Sequence, residues 1–439
     1  MKKQIGFFGL LAMSVGLNIG GSLFGLTTVA AGLTGPSLPL ALLISALPAI
    51  LAVLPFSILA SAAPTTGASY RYVQLLSPSL AYITALAALT CVMIGTLPLM
   101  GRVFGLFFHA ILPVDPVISG LAVLTLFYLV NVAGIRSTVR VQIILVLLLI
   151  SALGLFTAQG ATQIEVNRFE ELFPRGVGGL LAASGLLFTF SISGILMVDL
   201  GGEVVNARQT IPRVLLLGIL IAVIINVSVL TVTAGVADTM AMEGKTLVEV
   251  AANFMSTVQL EYFVVAGALL ACATSINTAF TLVARILLAI STEGLLPRFL
   301  SQVNIERGSP VGALTLTYVL AALTLLSQSS LLFFGTLTNF PIIVVVTLVS
   351  VLVITLPYRF PELYRHSAFH PPPVVLWVVC GTVIAANVTI FVFLAGASHL
   401  ATWTYAGLLL VFGLYAISRR KTLATLIKIA PAMRSEGSE

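Results

Sequence analysis

Two short stretches, Asn18-Ile19-Gly20-Gly21-Ser22-Leu23-Phe24 and Phe188-Thr189-Phe190-Ser191-Ile192-Ser193-Gly194, put glycine and small polar residues in the middle of long apolar runs. An unpaired main-chain N–H or C=O in hydrocarbon costs several kcal/mol, so a helix broken there must line a cavity. Its free groups are then available to a ligand. N–H groups at a half-helix N-terminus attract an anion, helped by the positive end of the helix dipole. Bare carbonyls attract a cation. Gly20 and Gly21 let a ligand approach the backbone closely, and Ser22 adds a hydroxyl. The chemistry on offer is binding. The spans carry no paired acids, no His/Asp metal set and no Ser/His pair, so the chain does not read as an enzyme.

The elements that position these stretches are membrane helices. Of 439 residues, 59% are hydrophobic and 8% charged, and mean hydropathy is +1.13. A soluble domain carries about 25% charge. A span needs about 20 apolar residues. Twelve segments meet that need: 6–33, 37–63, 78–111, 115–134, 139–159, 177–205, 212–237, 258–291, 311–328, 331–357, 372–396 and 399–418. The sequence therefore predicts an all-α integral membrane protein. Lys2-Lys3 before an apolar run resembles a secretory leader, but the run continues to about Leu33 and reads as an uncleaved first span.

The two breaks fall in spans one and six. Spans one to five (1–160) and six to ten (161–358) are therefore candidate repeats. An odd number of spans makes the second repeat inverted. Spans eleven and twelve (359–418) lie outside it, and a basic tail (419–439) follows. Interrupted spans in corresponding positions point to the binding site of a secondary transporter. The same glycines could instead serve helix packing through small residues.

The net charge of +6 marks topology rather than nucleic-acid binding, because the basic residues form no single patch. Of the 21 Lys and Arg, only Arg102, Arg168, Arg175 and Lys245 fall on the side opposite the N-terminus. Lys2, Lys3, Arg136, Arg140, Arg307, Lys421, Lys428 and Arg434 are among the rest, and this bias predicts both termini in the cytoplasm. Cys91, Cys272 and Cys380 all lie in apolar segments with no metal spacing.

Four motifs in order resemble the amino acid–polyamine–organocation (APC) transporter superfamily. Ile19-Gly20-Gly21-Ser22-Leu23-Phe24 is similar to that family's I-G-S-G-I-F pattern. Pro64-Thr65-Thr66-Gly67-Ala68-Ser69-Tyr70-Arg71-Tyr72 is similar to its P-x-x-G-G-x-Y-x-Y loop. Gly202-Glu203 through Ile211-Pro212-Arg213 is similar to its G-E-x-x-N-P-x-x-x-I-P-R segment. Ala284-Arg285 through Gly294-Leu295-Leu296-Pro297-Arg298 is similar to its A-R-x-L-x-A…G-L-L-P-R segment. The resemblance spans nearly the whole chain. It implies twelve helices in a five-plus-five inverted repeat with broken helices one and six, alternating access, and amino acids or their amines as substrates.

On that reading a zwitterion's carboxylate meets the N-terminus of the inner half of helix one, at Ile19, Gly20, Gly21 and Ser22. Its ammonium meets unwound carbonyls around Phe190, Ser191 and Ile192, with Ser193 beside them. Phe188 and Phe190 are candidates for an aromatic lid, and Thr90, Cys91, Ile94 and Gly95 for one wall. No Asp or Glu sits near the presumed pocket, which favours a neutral, small or aliphatic amino acid over a cationic one.

Coupling is read from departures. Some family members carry an acid just after the helix-six glycine, where this chain has Ile195 or Leu196. Some sodium-independent or proton-linked members carry a lysine in helix five, where the register here gives Leu149. Ala271-Cys272-Ala273-Thr274-Ser275 resembles the A-x-x-T-S stretch of neurotransmitter:sodium symporters. That likeness implies a sodium ion held by Gly16, Ile19, Ala271, Thr274 and Ser275. Neutral oxygens suit a small hard cation. No other cofactor is expected. Asp199 is expected to pair with Arg285 or line the inner vestibule, and Glu203 to sit near cytoplasmic water.

The resulting expectation is a plasma-membrane, multi-pass transporter, monomer or homodimer, that carries a neutral amino acid by sodium-coupled symport. Sodium-independent exchange and proton symport are the alternatives within the fold. A transporter-like nutrient sensor or channel is the alternative outside it.

Overall fold

The structure, a computed structural model, describes residues 4–239, 245–304, 308–420 and 423, with the side chains of 135–138 excepted. Lys2, Lys3, Arg307, Lys421, Lys428, Arg434 and the Arg136 side chain lie outside the described residues. So does nearly all of the tail 419–439.

The described residues are mostly helical. The helices are α1 (Phe7–Thr34), α2 (Leu38–Ala62), α3 (Ala68–Gln74), α4 (Pro78–Cys91), α5 (Leu97–Ile111), α6 (Pro116–Val132), α7 (Ile135–Gly160), α8 (Gly176–Leu187) and α9 (Thr189–Ile192). They continue with α10 (Ala207–Val236), α11 (Leu247–Ala251), α12 (Thr257–Tyr262), α13 (Leu270–Thr292), α14 (Val311–Leu325), α15 (Leu331–Arg359), α16 (Pro361–Arg365), α17 (Pro373–Ala397) and α18 (His399–Ser418). Among the described residues there is no β-strand, only the isolated bridges Ile5–Val204 and Thr66–Leu200.

Nine stretches have the length and apolar composition to cross a bilayer, among the described residues. The first, Phe7–Ala62, fuses α1 and α2 through the 3-10 turn Gly35–Ser37. The apolar helices α6 and α14 are shorter. The twelve segments read from the sequence differ from these nine by that fused pair and those two short helices.

α1 is the hub. It is buried along most of its length and packs against α10, α13, α8 and α7. Its apolar side chains therefore have protein on every side, as expected of a helix without a polar face. α17 and α18 lie at the periphery, with Trp377, Val378, Val392, Trp403, Leu410, Leu414 and Ile417 exposed. An apolar face of that extent on a membrane helix suits lipid tails.

Two spans widen locally. Val92–Thr96 in span three and Phe263–Leu269 in span eight are π-helical. Such turns occur mostly as single bulges, often at functional sites.

Candidate binding site at the helix breaks

The first break is a single residue. Gly20 has φ 23 and ψ −170 inside an otherwise continuous α1. A Cβ at Gly20 would collide with the Ser275 hydroxyl oxygen, and one at Gly21 would come 2.6 Å from Cys272 Sγ and 2.9 Å from Cys272 Cα. α1 thus lies directly on α13, and the Gly21 N–H donates to Ser275 Oγ at 3.2 Å. The half-helix N-terminus presented here is that of the segment after Gly20. With a cytoplasmic N-terminus that is the outer half of the span, not the inner half the sequence reading gave.

The second break differs from expectation. The chain does not unwind around Phe190, Ser191 and Ile192. It makes the short turn α9 and then passes into a 3-10 helix, Ser193–Asp199. The Ser191 and Ile192 N–H groups both donate to Phe188 O. The Phe190 carbonyl accepts from Asn226 Nδ2 of α10 at 3.1 Å. Tighter winding keeps the backbone paired inside the bundle, which an open loop would not. The two interrupted spans are joined directly, because the Gly194 N–H donates to Asn18 Oδ1 at 2.6 Å.

A cavity lies between these spans. Its polar lining is Ser22, Ser69, Thr96, Thr189, Ser193, Ser275 and Thr338, and among the described residues no charged side chain contributes to it. The apolar lining includes Leu17, Leu26, Val92, Met100, Ile195, Leu196, Leu282 and Ile342.

Of the residues expected at the site, Ser22, Ser193 and Ser275 line this cavity. Ile19, Gly20, Gly21, Cys91, Phe188, Phe190, Ser191 and Ile192 do not, and all are buried in helix packing. Thr189 and Ser193 stand four apart on one helical face, with their hydroxyls 2.8 Å from each other. Phe188 and Phe190 flank that face and are turned into the bundle, so neither forms a lid over the cavity. The sequence reading missed Thr96 and Thr338, whose hydroxyls meet at 3.1 Å. It also missed Asn226. The spacing of Thr189 and Ser193 was readable, whereas Thr338 carried no local signal.

A second cluster lies behind the α1 break. Thr274 Oγ1 donates to Gly16 O at 3.1 Å and to Ala271 O at 2.8 Å. Gly16, Ala271 and Thr274 are thereby brought together, with Ser275 one residue on at Gly21. The oxygens are neutral and come from two helices, a donor set that fits a hard monovalent cation.

Next to the cavity, beyond Ser69, lies a set of buried polar contacts. Asp199 accepts from the Ser69 N–H at 2.6 Å and from its hydroxyl at 3.0 Å. It does not pair with Arg285. That guanidinium is held by Glu203, with Nη2–Oε2 at 3.2 Å, and both side chains are buried. Glu203 is therefore away from water, contrary to expectation. The 3-10 turn aims Asp199 at the N-terminus of α3 and leaves Glu203 to the arginine. Burial and the neighbouring Glu293 push the Tyr70 hydroxyl above its ordinary pKa. It stays protonated and donates to Glu293 at 2.7 Å.

Broken helices around an uncharged cavity in an all-helical, lipid-facing bundle define a membrane transporter scaffold. The family model for amino acid permeases matches residues 5–414. The chain belongs to the amino acid permease family. It is similar to a branched-chain amino acid permease of Bacillus subtilis (strain 168), 27% identical over 412 residues, covering 85% of this chain and 84% of that protein. It is also similar to a methylthioribose transporter of the same organism, 24% identical over 408 residues and 87% of each chain. A cationic amino acid transporter of Arabidopsis thaliana is 25% identical over 348 residues, 74% of this chain. The matched region is 57% of that plant protein's length. This is a family of multi-pass membrane transporters and not of enzymes.

Proposed function

We propose that this protein carries a neutral amino acid with a small or aliphatic side chain across the plasma membrane by alternating access, coupled to sodium. The carrying observation is the lining of the cavity: hydroxyls and apolar side chains, with no charged group. A cationic side chain would find no counter-ion in the lining itself, because the neighbouring Asp199 carboxylate is turned to Ser69. The substrate's carboxylate meets the Ser22 hydroxyl. Its ammonium meets the Thr189 and Ser193 oxygens, and its side chain faces Ile195, Leu196 and Met100. The similarity to a branched-chain permease supports an aliphatic substrate.

The architecture that goes with this reading is twelve spans, with repeats at 1–160 and 161–358, both termini cytoplasmic, and a monomer or homodimer. Sodium sits between Gly16, Ile19, Ala271, Thr274 and Ser275 and holds α1 against α13, which couples its binding to the break at Gly20. No bond is made or broken. Alternating access requires the Asp199–Ser69 and Glu203–Arg285 contacts to open and re-form.

The test is uptake of a panel of labelled amino acids into vesicles reconstituted with the purified protein. Leucine, isoleucine, valine or alanine should accumulate and arginine should not. An inward sodium gradient should drive accumulation, and Thr274→Ala with Ser275→Ala should weaken sodium dependence more than substrate recognition. Equal uptake in sodium and potassium at several pH values overturns the cation coupling. Sodium-independent exchange is the second reading. It draws on Thr274 Oγ1, whose one proton is already shared between the Gly16 and Ala271 carbonyls. Counterflow without any gradient would support it.

A further inference from the structure

Gln142 of α7 is fully buried and has no part in the reading above. It ends a directed chain of side-chain hydrogen bonds. The Thr281 hydroxyl donates to Asn131 Oδ1 at 2.7 Å. Asn131 Nδ2 donates to Asn277 Oδ1 at 3.1 Å, and Asn277 Nδ2 donates to Gln142 Oε1 at 2.9 Å. The direction is set by the backbone, because Asn131 Nδ2 also donates to Phe127 O at 2.9 Å. Turning Asn131 over would set two oxygens against each other. Each carboxamide then fixes the next.

The consequence falls on the last nitrogen. Gln142 Nε2 faces α1 at Gly16 and has no hydrogen-bond partner. It occupies the space that a Cβ on Gly16 would need, with Thr274 Cβ 3.1 Å from that position. A buried donor without an acceptor is rare and calls for an explanation. This one is aimed at the residue whose carbonyl is part of the cation site proposed above.

We infer that Gln142 opposes the coupling cation: its unpartnered amide N–H turns the positive end of its dipole toward α1 at Gly16, beside the carbonyl that would hold the cation. The chain Thr281–Asn131–Asn277 holds the amide in the donating orientation. Gln142 thus lowers cation affinity and favours release. This rests on the sodium reading of the Gly16–Thr274 cluster.

The test is the half-saturating sodium concentration of uptake, together with the sodium-induced shift in melting temperature of the purified protein. Gln142→Met removes the donor at similar size, and Gln142→Glu replaces it with an acceptor while keeping the Asn277 bond. Both should lower the half-saturating sodium concentration, by about fivefold, the order of one hydrogen-bonding dipole turned away from the site. Both should enlarge the sodium-induced melting shift. A residue with only a structural role would lower the melting temperature and leave the sodium response unchanged, which overturns the inference. So would a rise in the half-saturating concentration, the mark of a cation ligand. If Thr274→Ala abolishes a sodium response that Gln142→Glu leaves untouched, this inference fails alone. If the native protein shows no sodium response, the cation site fails and the inference falls with it.

Discussion

Asn18 Oδ1 and the Gly194 N–H stand 2.6 Å apart, and through them the two interrupted spans hold one another. Both groups are buried. Asn18→Ala leaves the Gly194 N–H without an acceptor, at about 1–3 kcal/mol. Melting of the detergent-solubilised protein should fall accordingly, and the KM for uptake should rise. An unchanged melting temperature would show that the bond carries no weight.

Gly20 is the position least able to accept a side chain. Its φ of 23 disfavours any L-residue, and a Cβ would strike the Ser275 hydroxyl. Gly20→Ala should abolish substrate binding. Adding Ser275→Ala removes the collision and not the backbone strain, roughly 1–2 kcal/mol. It should therefore restore part of the melting temperature. Binding by ligand-induced melting shift measures both effects.

The Glu203–Arg285 pair is buried on both sides. Removing one partner strands a charge, at about 3–5 kcal/mol, whereas replacing both with apolar residues is often neutral. Arg285→Met alone should aggregate or melt early. Arg285→Met with Glu203→Leu should recover the fold and weaken closure on that side. Cysteine labelling at Ser69→Cys, reading access to the cavity, should increase in the double variant.

The substrate's charge is testable by adding a carboxylate to the wall. Leu196 lines the cavity and is partly accessible within it. Leu196→Asp should let arginine compete for uptake and should weaken leucine by about 1–3 kcal/mol through the lost apolar contact. Competition assays with both amino acids check the two directions separately.

Much of this fold was legible because its signals are local. Glycines at 20 and 21 inside an apolar run announce a break, and the hydroxyls at 274 and 275 announce a polar face on α13. What stayed hidden was long-range. Whether Arg285 would choose Asp199 or Glu203 depends on the 3-10 winding of 193–199, which no local propensity signals. The exclusion of Phe188 and Phe190 from the cavity depends on that same rotation. The Thr96–Thr338 contact joins residues far apart in the chain, and the π-helical turn at 92–96 that carries Thr96 has no composition of its own.

The bridge between Ile5 and Val204 has a mechanical corollary. The Gln4 and Ile5 N–H groups both donate to Glu203 O, and the Val205 N–H donates to Ile5 O. The chain just ahead of α1 is therefore stitched to the chain just after the second interrupted span. Neither end can move outward alone without breaking these three hydrogen bonds.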